Sequence, residues 1–209
     1  MNLARLAVPG LLLAAMAFAQ PKSLPVMPYD SLMFDRVTVD GYVDPEDDEY
    51  PAFFHDKPTG ITVHWGFDDE HVYIALEAKG TGWLAIGLGS PKMNESNMMI
   101  GYYTDDSSDV TNHRGAGYGH AEIAADTNAI DFDADIDFDD ETGVTTLEFS
   151  YPLDWRGARG LAVPGLVPGD VYDFILARNP KSPSLAAKHG SKSALKFAMA
   201  ARPESAPGK

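Results

Sequence analysis

Apolar residues at every second position, in short runs cut off by Gly, Pro, Asp and Asn, constrain this chain more than any other feature. Ile61, Val63, Trp65 and Phe67 share one face of such a run, and Asp68-Asp69 ends it. Val72, Ile74, Leu76 and Ala78 share the next, ended by Gly80 to Gly82. Side chains two residues apart face the same way only in extended backbone, so each run predicts a half-buried strand. Trp83–Leu88 is apolar without interruption, the pattern of a strand buried on both faces. Further strands are expected at Met98–Thr104, Ile130–Phe138, Val144–Tyr151, Val171–Ala177 and Ser193–Met199. No segment holds a helical period. Many short strands with frequent turns predict an all-β fold, an antiparallel β-sandwich.

The first residues read as an address. Met1 to Arg5 is a short positive segment, Leu6 to Ala19 is apolar, and Ala17-Phe18-Ala19 fits a signal-peptidase site before Gln20. The apolar stretch falls short of the ~20 residues that a membrane span needs. Residues 1–19 are therefore expected to be a cleaved signal peptide, giving a secreted or periplasmic protein with no membrane span in the mature chain. Residues 20–36 are expected as a lead-in, 37–200 as the sandwich, and 201–209 as a flexible tail. Three prolines and four glycines between Pro152 and Gly169 predict a long loop.

Charge narrows the function classes. The 209 residues carry 16 Lys+Arg against 31 Asp+Glu, a net charge of −15, which disfavours nucleic acid as a partner. The absence of cysteine excludes disulfides, thiolate metal sites and covalent haem attachment through Cys-x-x-Cys-His. No Gly-x-Ser-x-Gly elbow marks a hydrolase. Basic residues gather at the end, where Arg178, Lys181, Lys188, Lys192, Lys196, Arg202 and Lys209 face a single acid, Glu204. That segment either balances the acidic body or receives something anionic. Two acidic runs raise calcium as a lesser cofactor candidate. In Asp131–Asp139 the carboxylates alternate with Phe132, Ala134, Ile136 and Phe138, which predicts a charged edge strand and not a ligand loop. Asp44–Glu49 is loop-like and the better calcium candidate.

Two residues stand out for chemistry. Met93 follows the apolar strand on a loop stiffened by Pro91, and His189-Gly190 sits on a Lys-rich turn before the last strand. A methionine there also suits core filling and a lone histidine suits an ordinary surface, and spacing alone does not pair them.

The run Gly82-Trp83-Leu-Ala-Ile-Gly87-Leu-Gly89, followed by Met93 and Asn97-Met-Met-Ile-Gly101, resembles the signature of DOMON domains. Val110-Thr111, Gly143-Val-Thr-Thr-Leu-Glu-Phe149, Pro152-Leu-Asp154 and His189-Gly190 follow in the family's order. Val39-Asp40-Gly41-Tyr-Val-Asp44 with Tyr50-Pro51 is similar to bacterial members, so the likeness covers roughly 37–199. It implies an immunoglobulin-like β-sandwich. In members resembling the cytochrome domain of cellobiose dehydrogenase it implies a non-covalent b-type haem. The axial ligands would be a methionine after the Gly-Trp strand and a histidine before the last strand, here Met93 and His189. Where the family often has Arg before Pro-Leu, this chain has Tyr151, and many members lack one or both ligands.

Such a haem needs an apolar slot with a ligand on each face. Trp83, Met98, Tyr102 and Tyr103 are near enough in sequence to line it, and Lys188, Lys192 and Arg178 to meet its propionates. Methionine with histidine fills both axial positions and raises the iron potential, which favours electron transfer over catalysis. The expected function is that of an exported electron carrier. Its partner would be a separate redox protein or a membrane-bound oxidoreductase. Two other readings stand beside it. A carbohydrate-type binding module would use Trp65, Trp83, Tyr102 and Tyr103 as a stacking platform. A copper protein would use Met93, Met98, Met99, His113 and His120, although Met98 and Met99 point to opposite faces of a strand. His113 and His120 flank Arg114–Gly119, expected to be a flexible turn.

Overall fold

Strand alternation becomes two stacked sheets in the computed structural model, which describes residues 24–44, 46–117, 119–123 and 132–203. The elements in chain order are β1 (Val26–Met27), α1 (Met33–Arg36), β2 (Ala52–Asp56), β3 (Ile61–Phe67), β4 (His71–Lys79), β5 (Leu84–Leu88) and β6 (Asn97–Thr104). They continue with β7 (Ser107–Ala116), β8 (Gly119–Glu122), β9 (Asp133–Asp139), β10 (Val144–Pro152), β11 (Val171–Arg178) and β12 (Ser191–Met199). One sheet runs β1-β12-β11-β5-β6-β7-β8 and the other β2-β3-β4-β10-β9. All neighbours are antiparallel except β1 beside β12. The chain crosses between the sheets at β1–β2, β4–β5, β8–β9 and β10–β11. The result is a β-sandwich, as the alternation predicts, of the immunoglobulin-like form that the family likeness implies.

The inward faces are the ones alternation selects. Ile61, Val63, Trp65 and Phe67 meet Val72, Ile74 and Leu76, Leu147 and Phe149 in one continuous core. From the opposite sheet come Leu84, Ile86, Leu88, Met99, Phe174, Leu176 and Phe197. Trp65 packs on Phe174 and Phe197 with ring centroids 5.9 and 5.3 Å apart. Near β6 and β7 a hydrogen-bonded ring crosses this core. Asn97 Nδ2 donates to Tyr151 Oη (3.1 Å), Tyr151 Oη donates to Asn112 Oδ1 (3.2 Å), and Asn112 Nδ2 donates to Asn97 Oδ1 (2.8 Å). Tyr151, at the position where the family often carries Arg, thus joins a neutral set. Burial pushes its phenol up to about 12, outweighing the opposing bond from Asn97.

The structure adds to these expectations at several places. Residues 24–36, within the expected lead-in, pack onto the sandwich: β1 pairs with β12, Tyr29 bridges Phe67, and Met27 and Met33 are fully buried. Pairing so brief leaves no period for the eye to find. The stretch around Arg114 is no flexible turn, since β7 runs to Ala116 and reverses at Gly117 (φ 62°) into β8. Polar residues on both faces of β7 hide its alternation. Edge strand β2 was not anticipated. The acidic β9 is the outer edge of its sheet, with Asp133, Asp135 and Asp137 exposed between less exposed residues. The expected signal peptide, Asp131 and residues 204–209 lie outside the described residues.

A strap from Thr38 to Tyr50 lies over the outer face of the five-stranded sheet, held by a buried carboxylate. Glu148 accepts from the backbone N–H of Asp40 (3.1 Å) and Gly41 (3.2 Å) and from Tyr50 Oη. Burial raises its carboxyl to about 7, against the lowering effect of those bonds. The native state therefore holds a proton that the unfolded chain releases near 4.5, so Glu148 lowers stability as pH rises from about 4.5 to 7. Glu148→Gln is expected to flatten denaturation midpoints across that window, by up to about 3 kcal/mol. Tyr151→Phe, which strips the ring of its hydroxyl and leaves buried amide atoms unpaired, is expected to lower unfolding stability by about 1–3 kcal/mol in urea titrations.

Candidate functional site

The inner core uses only one side of β5, yet all five residues of this strand are buried. Its other side belongs to a second apolar cluster on the outer face of the seven-stranded sheet. Trp83, Ala85, Met98 and Ile100 form its buried centre, with Met93, Tyr102, Ile175, Ala177 and Leu185 packed around them. Register explains the set. One row across the sheet reads Lys192, Ala177, Ala85, Ile100, Thr111, and the next reads Ala194, Ile175, Gly87, Met98, His113, Glu122. Ala177 and Ala85 keep the floor low between the taller Ile100, Ile175 and Met98.

The Met93 loop closes one end of β5. Its carbonyl accepts from Ser96 N (3.1 Å), Glu95 N donates to Gly115 O (3.0 Å), and Gly117 N donates to Asn94 Oδ1 (2.8 Å). The loop lies so close to β7 that a Cβ at Gly115 would stand 1.5 Å from Met93 O. Met93 itself is half-buried against the cluster.

The segment 179–190, which carries His189, closes the other end. Trp83 N donates to Ser182 O (3.2 Å), Trp83 Nε1 to Ala187 O (3.2 Å), and Asn179 Nδ2 to Lys188 O (2.8 Å). Gly82 admits this segment, since a Cβ there would lie 1.5 Å from Asn179 O. Leu185 reaches the cluster, while Lys188 and His189 are exposed. Among the described residues His189 makes no side-chain hydrogen bond, so its ring nitrogens are open to a ligand. Lys192 stands on the outer face beside Ala177.

The structure thus gathers Met93, Trp83, Met98 and Tyr102 on one apolar face, with Lys192 at its margin and Lys188 and His189 on the adjoining segment. Arg178 does not belong with them. Its side chain turns inward, and its guanidinium donates to Lys79 O (2.7 Å) on the opposite sheet. Trp65 is 1 % exposed in the inner core and Tyr103 packs against that core from the same side, so the four aromatics make no shared stacking platform. Met99 points into the core and Met98 away from it, which separates two members of the expected copper set. In the proposed calcium loop, Glu49 is occupied by the backbone N–H of Thr38 and Asp44. Among the described residues no three His, Asp or Glu side chains converge as a metal site.

Sequence reasoning missed Ala85, Ala177, Ile175 and Leu185. Their only signal is cross-strand register, which a single sequence does not display. The close approach at Gly115 makes the Met93 loop testable. Gly115→Ala is expected to shift that loop, read as loss of amide-exchange protection at Glu95 and Ser96 with the β3–β4 amides unchanged.

Comparisons with known proteins agree with this architecture. The cytochrome b domain of pyranose dehydrogenase from Coprinopsis cinerea superposes with a TM-score of 0.50 at 12% identity, covering 70% of this chain and 87% of that one. The cytochrome domain of Myriococcum thermophilum cellobiose dehydrogenase gives 0.48 at 18% identity, covering 73% and 91%. A family 9 carbohydrate binding module from Caldicellulosiruptor kristjanssonii, in complex with cellotriose, gives 0.45 at 13% identity, covering 88% and 98%. No curated protein matches the sequence. A family model for the DOMON domain matches residues 57–161, from the start of the β2–β3 turn through β10 and into the loop beyond it. With that match over half its length and the sandwich to accompany it, the chain belongs to the DOMON domain family.

Proposed function

We propose that this DOMON domain binds a b-type haem non-covalently on the outer face of its seven-stranded sheet and serves as an electron-transfer protein. The observation that carries the reading is the second apolar cluster, bounded by the Met93 loop at one end of β5 and the His189 segment at the other. The donor set fits. A thioether is half-buried against the apolar floor, an imidazole has both nitrogens unengaged among the described residues, and two ammonium groups lie nearby. When bound, haem would supply a one-electron iron centre. Met93 Sδ and a ring nitrogen of His189 would hold the iron, a combination that raises its potential and suits electron transfer. Trp83, Met98 and Tyr102 would cover the macrocycle's apolar surface, and Lys188 and Lys192 would receive its propionates.

Removal of residues 1–19 by signal peptidase would deliver this domain to the periplasm or the exterior. No helix among the described residues is long and apolar enough to cross a membrane. Electrons would be exchanged with a separate redox protein or a membrane-bound oxidoreductase.

The test is an absorption spectrum of the haem-reconstituted protein, oxidised and then reduced with dithionite. Sharp reduced α and β bands and a b-type pyridine haemochrome are expected. Met93→Ala and His189→Ala should each convert the low-spin spectrum to high-spin or lose the haem. A protein that stays colourless after haem titration, or variants with unchanged low-spin spectra, would overturn the assignment.

A further inference from the structure

We infer that the β7–β8 hairpin carries a separate metal site, in which Nδ1 of His113 and Nδ1 of His120 chelate one borderline divalent ion such as Cu(II) or Zn(II). The two nitrogens lie 3.0 Å apart, with ring centroids at 4.7 Å and the rings edge to face. Two imidazoles on one ion, each with a bond of about 2.0–2.1 Å, leave their nitrogens at this separation when the angle at the metal is about 95°. Opening the pair by a few tenths of an ångström reaches tetrahedral geometry.

The surroundings of His113 accommodate the Nε2–H tautomer that ligation requires. With Thr111 Oγ1 donating to Ile100 O (3.4 Å), its lone pair accepts from His113 Nε2–H at 2.7 Å. The bare nitrogen of His113 is then Nδ1, the one that faces His120. A ligating histidine whose other ring nitrogen is anchored to an oxygen acceptor is the usual second layer of a metal site. His113 is only 8 % exposed, whereas His120 is half-buried and reachable from solvent.

The ladder places a carboxylate beside the pair, although as placed it does not converge with the two imidazoles. Glu122 stands opposite His113 on β8, on the same face, where directly paired side chains have Cβ atoms about 5 Å apart. It is exposed and, among the described residues, has no side-chain hydrogen bond. A rotation of this carboxylate or a water completes the coordination, and an N,N,O set suits borderline divalent ions. Across the pair, Met98 on β6 is the residue in register with His113. The site uses neither Met93 nor His189, and so stands or falls independently of haem.

The experiment is a calorimetric titration of the haem-free full chain with Cu(II) and with Zn(II). One equivalent should bind. His120→Ala and Thr111→Val should each weaken binding about tenfold or more, and Glu122→Gln less. His189→Ala and Met93→Ala should bind as the unaltered chain does. The Cu(II) electron paramagnetic spectrum should carry superhyperfine structure from two nitrogens, reduced to one in His120→Ala. His120→Ala alters a half-exposed side chain, so retained circular dichroism separates lost ligation from lost fold. Absence of stoichiometric binding, undiminished binding in His120→Ala, or loss in His189→Ala would each overturn the proposal.

Discussion

Burial of β5 on both faces is the constraint on which this molecule depends. Its inner side chains, Leu84, Ile86 and Leu88, close the core between the sheets, while Ala85 and Gly87 look outward. A sandwich strand with one wet face would need polar residues there, and this one has none. The outer face must be covered by other parts of the chain, and two loops do it. Gly82 and Gly115 lie where a Cβ would collide with the backbone of those loops, so close packing is built in at both ends of the strand. The apolar floor, the methionine loop and the histidine segment are therefore three aspects of one packing solution.

Away from that floor the sandwich is tied together by polar groups chosen for neutrality. Asn97, Asn112 and Tyr151 satisfy one another inside the core without a formal charge, which avoids the heavy desolvation of an ion pair. On the opposite outer face Glu148 plays a comparable part in a different manner, as a carboxyl that burial raises to about 7, so that it keeps its proton in mildly acidic solution. The net acidity of the chain is spent at the surface, notably along edge strand β9, where charge blocks pairing with other chains. Beside the apolar floor, Lys188 and Lys192 add exposed positive charge.

The strands whose two faces differ in polarity were legible, because a two-residue period survives in the sequence wherever apolar residues alternate with polar or small ones. The runs from Ile61, Val72, Val144 and Val171 became β3, β4, β10 and β11 with small shifts at their ends. Strands β1, β2, β7 and β8 were not legible. Two are too short to show a period, and β7 places Ser, Asp, Thr and Asn on both faces. Reading Arg114–Gly119 as a flexible turn hid the hairpin that brings His113 and His120 together. At the candidate haem site Met93, Trp83 and His189 could be named from motif order, but Arg178 was misassigned because nearness in sequence carries no information about which face a strand residue presents.

Alternation, turn residues and the family motifs by themselves determined an all-β DOMON sandwich and the order of its principal strands, since these depend on local backbone preference and on which residues avoid water. Tertiary structure alone decided which outward residues form a common floor, which loops cover it, and which imidazoles meet. Those relations are set by register between strands far apart in the chain. A shift of one residue in any pairing would turn Ala85, Ala177 and Met98 to the other face while leaving every local pattern unchanged.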